Sequence, residues 1–131
     1  LNSGRDVVIT PHHGEFEKMM QVLGRSTKTI ITPSSLKSLS KEWQATIALK
    51  GSHDLILSPS GEFFENTTGH PVMTKGGTGD VLAGLIGGLM AQGMTGFEAS
   101  KKACIDWGKV GEYVASQKGL EATISEMLNE L

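Results

Sequence analysis

Gly76-Gly77-Thr78-Gly79-Asp80-Val81-Leu82-Ala83-Gly84 is the stretch on which the fold turns. Three glycines in four residues stand directly before a helical run, with an aspartate at its first turn. Glycine reaches the left-handed conformations that let successive backbone N–H groups converge on one point. A helix N-terminus adds free amide donors and about half a positive charge. The pattern therefore predicts an anion hole suited to a phosphoryl group. Asp80 also has an ordinary reading, as an acid that simply caps its helix.

The helix behind the loop is expected over about residues 80–92. Leu82, Leu85, Ile86, Leu89 and Met90 form a large apolar face, while Ala83, Gly84, Gly87, Gly88 and Ala91 form a second face of small residues. A glycine inside a helix costs about 1 kcal/mol relative to alanine. Three of them call for close packing against a sheet or a ligand. Two familiar nucleotide fingerprints are absent: there is no Gly-x-x-x-x-Gly-Lys-Ser/Thr, and Leu82 stands where the dinucleotide pattern needs its third glycine.

Upstream, Arg5 to Thr10 reads as a strand whose Val7-Val8-Ile9 run suits burial on both faces. Pro11 stops it, and Gly14-Glu15 opens a helix with Phe16, Met19, Met20 and Leu23 on one stripe, closed by Gly24. A second helix, capped by Ser34 or Ser35, carries Leu36 and Leu39 inward and runs to about Trp43. Ala45–Leu49 is a buried strand ending at Lys50-Gly51. Asp54–Leu57 and Glu62–Phe64 flank Pro59-Ser60-Gly61 as a hairpin.

Residues 66–77 have loop composition. Two more helices are expected near 97–116 and 123–130, the last opened by a Thr123/Glu126 capping box. The order predicts an α/β layered fold with a mostly parallel central sheet flanked by helices. Residues 1–131 are read as one domain and as part of a larger one, because the first strand looks interior and nothing precedes it.

The charge balance, 12 basic against 14 acidic residues for a net −2, shows no basic run. A nucleic-acid partner is not expected. The charge-free run from Val81 to Phe97 is shorter than the roughly 20 apolar residues a bilayer span requires, so no membrane partner is expected either. One cysteine, Cys104, excludes an internal disulfide framework and suits a reducing, cytoplasmic setting. Cys104 shares a helix face with Ala103, Trp107, Val110, Gly111 and Val114, so it reads as core rather than as a reactive thiol. His12-His13-x-Glu15 lacks a third suitable ligand for zinc, and His13 reads as an exposed loop residue.

Gly-Thr-Gly-Asp opening a small-residue helix resembles the ribokinase-like superfamily, also called the carbohydrate kinase family. The stretch from Thr68-Gly69-His70-Pro71 to Gln92-Gly93 is most similar to its ADP- or ATP-dependent NAD(P)H-hydrate dehydratases. Ile9-Thr10-Pro11-His12-His13-Gly14-Glu15 resembles that branch's Thr-Pro-His-Pro-Gly-Glu, and Leu49-Lys50-Gly51 its Lys-Gly after a strand. The resemblance implies a lyase that repairs hydrated NADH or NADPH with ADP or ATP and Mg2+.

Position by position, the resemblance makes Asp80 the general base and the amides of Gly77, Thr78 and Gly79 the phosphoryl hole. It makes His12, with Asp80, a substrate contact and Glu15 the acid that organises magnesium through water. Lys50, Gly51, Ser52, His53 and Asp54 become the nucleotide-side turn. Lys75, and Asp54 in place of the usual threonine, depart from the family pattern. A complete domain of the family is about twice as long, which leaves open a missing N-terminal half or a homo-oligomer. Two other readings compete: a sugar or vitamin-precursor kinase of the same superfamily, and a nucleotide-binding half-domain inactive alone.

Overall fold

The structure, a computed structural model, describes residues 4–26, 31–74, 76–119 and 123–131. They form two compact units, Leu1–Glu65 and Asn66–Leu131.

The first unit begins with strand β1 (Val8–Ile9), followed by helix α1 (His13–Val22). Helix α1 is opened by His12 rather than by Gly14. The His12 ring accepts the Glu15 amide proton while the Glu15 carboxylate accepts that of His12, a reciprocal capping box. Gly24 ends the helix with φ +66. Arg25 N–H then donates to Met20 O and Gly24 N–H to Gln21 O, which satisfies the last carbonyls.

Helix α2 (Pro33–Trp43) is capped by Thr32, not by Ser34 or Ser35. Pro33 sits at the first helical position, where its fixed φ fits and its missing N–H costs nothing. Ser35 is instead the returning partner of the box. Strands β2 (Thr46–Leu49) and β3 (Asp54–Leu57) follow, then β4 (Phe63–Asn66), whose last residue begins the second unit. The turn between β3 and β4 is closed by Ser58 N–H to Glu62 O and Gly61 N–H to Ser58 O.

The sheet order is β1-β2-β3-β4. The expected mostly parallel sheet gives way to a mixed one: β1 pairs parallel with β2, and β2 antiparallel with β3. A hairpin-like return from Lys50 replaces a crossover helix at that point, and a short return forces the antiparallel pairing. Within the described residues Val7, Val8 and Ile9 are half-buried, and β1 pairs with β2.

Phe16, Met20, Leu36, Leu39, Ile47, Leu49 and Leu57 form the core of this unit, with Trp43 tilted against Phe16 at 6.4 Å between ring centroids. Ser40 is fully buried within it and donates to Ala45 O at 2.6 Å, so its hydroxyl is satisfied.

The second unit opens with a short 3-10 turn, Pro71–Thr74, inside the expected loop. Helices α3 (Thr78–Ala91), α4 (Gly96–Lys118) and α5 (Ile124–Leu128) follow, close to the bounds read from the sequence. Gly93, with φ +101, ends α3 in the same manner as Gly24 ends α1. Ala103, Cys104, Trp107, Val110, Gly111 and Val114 of α4 are buried, as their shared face predicts. The Thr123/Glu126 capping box opens α5. No helix among the described residues is long and apolar enough to cross a membrane.

The small-residue face of α3 departs from expectation. Leu82 and Ile86 are buried, but Ala83, Gly84, Gly87, Gly88 and Ala91 are exposed. A methyl built on Gly84, Gly87 or Gly88 would meet no described atom within 4 Å. The close packing that three helical glycines call for is not supplied by the described residues.

Candidate functional site

Thr78, Gly79 and Asp80 form the first turn of α3, and Gly77 is its N-cap with φ +92 and ψ −16. That backbone is in the left-handed region, where a side chain is strained and glycine is not. Among the described residues no side-chain hydrogen bond caps this helix, and the amides of a helix's first turn are the groups that receive an acceptor from outside it. The Thr78 hydroxyl is turned back, donating to Met73 O at 2.7 Å. Asp80 is exposed in the first turn. The arrangement can bind an anion by amides and offer a carboxylate to a proton at its rim.

The remaining residues singled out from the sequence lie in the first unit, where several come together. Lys50 N–H donates to Pro11 O at 2.9 Å, and His12 and Lys50 form a parallel bridge, so the Pro11–His12 and Lys50–Gly51 segments run side by side. Glu15 Oε2 accepts from His12 N–H at 2.8 Å, and Glu15 N–H donates to His12 Nδ1 at 3.1 Å. An accepting Nδ1 places the proton of neutral His12 on Nε2, which lies 3.5 Å from Glu15 Oε1. The backbone hydrogen bond from His12 holds the Glu15 carboxyl below its usual range, with smaller help from the charges of Lys50 and Lys18. Gly51 N–H donates to Asp54 Oδ1 at 3.2 Å and tightens the turn that also contains Ser52 and His53.

Two neighbours were not read from the sequence. His13 is the first residue of α1 rather than a loop residue, and its ring lies over Gly51: a methyl there would be 3.0 Å from His13 Nε2. Glu65, on β4, pairs with His53 Nδ1 at 2.9 Å. Twelve residues separate that pair, so no local spacing signals it. Lys75 lies outside the described residues. Among those described, no group of three or more His, Cys, Asp or Glu side chains converges as a metal cage.

This α/β chain, with a glycine-opened helix that carries an aspartate in its first turn, has a ribokinase-like fold. Solved structures agree. An ADP/ATP-dependent NAD(P)H-hydrate dehydratase from Bacillus subtilis, crystallised with ATP and Mg2+, superposes with a TM-score of 0.80 at 29% identity, over 95% of this chain and 46% of that one. A ribokinase-like superfamily protein from Enterococcus faecalis gives 0.73 at 30% identity, over 95% and 44%. A hydroxyethylthiazole kinase from Pyrococcus horikoshii, at 21% identity, shares the fold.

The chain belongs to the NAD(P)H-hydrate dehydratase family, whose model matches residues 2–131. It is 48% identical over 113 residues to a bifunctional NAD(P)H-hydrate repair enzyme of Methanopyrus kandleri, covering 86% of this chain and 21% of that one. It is 36% identical to an ADP-dependent (S)-NAD(P)H-hydrate dehydratase of Nitrosopumilus maritimus, over all of this chain and 45% of the relative. The chain thus spans less than half the length of these relatives.

Proposed function

We propose that this chain is the nucleotide-phosphate portion of an ADP- or ATP-dependent dehydratase acting on hydrated NADH or NADPH. One observation carries the reading. Gly77 holds the left-handed conformation at an N-cap to which no described side chain hydrogen-bonds, with Asp80 exposed in the first turn.

In the proposed reaction Asp80 takes the proton of the substrate hydroxyl as that oxygen attacks the terminal phosphorus of the nucleotide. The nucleotide leaves one phosphoryl group shorter, and the amides of Gly77, Thr78 and Gly79 hold the transferring charge. Elimination of phosphate then breaks the carbon–oxygen bond while the adjacent ring carbon gives up a proton to water, and the electron pair of that C–H bond restores the ring double bond. Phosphorylation serves this because hydroxide leaves poorly and phosphate leaves well. His12 contacts the hydrated nicotinamide nucleotide, and Lys50, Gly51, Ser52, His53 and Asp54 hold the nucleotide side.

Magnesium fits this chain through the nucleotide rather than through a protein cage. It keeps most of its waters and takes one or two carboxylates with the phosphates. The exposed Glu15 carboxylate keeps lone pairs beyond its bonds to His12 and is the group to accept a magnesium-bound water. When bound, the ion would offset phosphate charge.

The test supplies hydrated NADH with ADP or ATP and follows recovery of dihydronicotinamide absorbance. Asp80→Asn should keep nucleotide affinity within about twofold and lower turnover by about 10²–10⁴. A variant that retains most of its rate removes the general-base role. A second reading has its own support: the uncovered small-residue face of α3 and the length relative to the family suit a portion that binds nucleotide without turning over alone. ADP binding without dehydration would select it.

A further inference from the structure

We propose that Gly108 and Gly111 of α4 are positioning residues that fix the height of the phosphate-binding loop through Thr68 and Met73. Its functional consequence rests on the phosphate reading above; the geometry does not. Glycine weakens a helix interior, and two within one turn of a long helix need a physical reason. Here it is contact. A methyl on Gly108 would lie 2.9 Å from Thr68 Cβ and 3.0 Å from its carbonyl carbon, and one on Gly111 would lie 2.5 Å from Met73 Cγ. Both glycines are buried beneath this segment.

The segment is tied down on either side of these contacts. Asn66, 1% exposed, donates from Nδ2 to Cys104 O at 3.2 Å. Its Oδ1 accepts from Thr68 N–H at 3.2 Å and from Thr68 Oγ1 at 2.7 Å. Gly69 N–H donates to Glu112 Oε1 at 2.9 Å. Met73, seated on Gly111, passes the constraint on by its carbonyl, which accepts the Thr78 hydroxyl. A continuous set of contacts therefore runs from α4 through residues 66–73 to the first turn of α3.

Carbon atoms rest about 3.5–4.0 Å apart, so a Gly108 methyl must lift Thr68 by roughly 0.5–1 Å. The Thr68 backbone cannot evade it by a change of rotamer. Misplacement of about 1 Å in a positioned site costs up to about 10²-fold. The amide resonances of Gly76, Gly77 and Gly79 should therefore shift in 15N-labelled Gly108→Ala, and ADP affinity should fall about tenfold or more.

Gly84→Ala, a helical glycine with open space around it, should change neither. Gly111→Ala should resemble Gly108→Ala, and Met73→Ala added to it should restore both readouts, because the space returns while the carbonyl remains. Unmoved loop resonances in Gly108→Ala overturn the proposal, as does a Gly111→Ala defect that Met73→Ala does not relieve. If Gly108→Ala does not fold, the Gly111/Met73 pair decides. Failure of the unaltered chain to bind ADP would refute the phosphate reading alone, because the resonances still report on the loop's position.

Discussion

Asn66→Ala is the substitution whose cost the structure lets one work out most directly. The side chain is 1% exposed, and its hydrogen bonds include one to Cys104 O and two from Thr68. A typical hydrogen bond contributes about 1 kcal/mol net, and more is lost where a buried partner is left unpaired. Thr68 is half-buried, so water can replace part of its loss, and the total comes to about 2–3 kcal/mol. For a chain of this length that corresponds to a fall in melting temperature of roughly 7–12 °C. Calorimetry and urea titration of the unaltered chain, Asn66→Ala and Thr68→Val measure it, with Thr68→Val losing about 1 kcal/mol for its hydroxyl bond. A loss below about 1 kcal/mol for Asn66→Ala would show that Asn66 does not hold the segment against α4, and the reasoning would fail.

Three further outcomes are expected. Thr32→Ala removes the cap that accepts the Ser35 amide and should cost about 1 kcal/mol, read by chemical denaturation; an unchanged midpoint would return the cap to Ser34 or Ser35. Gly77→Ala forces a side chain into φ +92 and should cost about 1–2 kcal/mol and weaken ADP binding together. Equal stability would place that backbone outside the left-handed region. In acid, Glu15 and Glu126 act alike: backbone hydrogen bonds from His12 and Thr123 hold their carboxyls below the usual 4.5. A depressed folded value means that their support is complete above 4.5 and is lost as pH falls through the lower folded value. Helicity followed by circular dichroism should decline across that range, and less steeply in Glu126→Gln.

Much of the candidate site was legible because its chemistry is local. Gly77 and Asp80 need a left-handed backbone and a helix start, and both conditions are written in adjacent residues. The Thr123/Glu126 box and the Gly24 stop are equally short-range. Local spacing does not fix the caps of α1 and α2, because several polar residues compete within a few positions. His12 and Thr32 won, the first as partner of Glu15 and the second because Pro33 occupies the first helical position.

Sequence alone determined which segments become helices, which carry the core, and where amides and a carboxylate share one helix mouth, since each depends on neighbours within a turn or two. Tertiary structure decided the antiparallel return of β3, the His53–Glu65 pair and the laying of Thr68 and Met73 upon Gly108 and Gly111. Those contacts join residues from 6 to about 40 positions apart. No periodicity encodes them. They exist because packing must fill space and satisfy buried polar groups, and only the folded chain sets which groups meet.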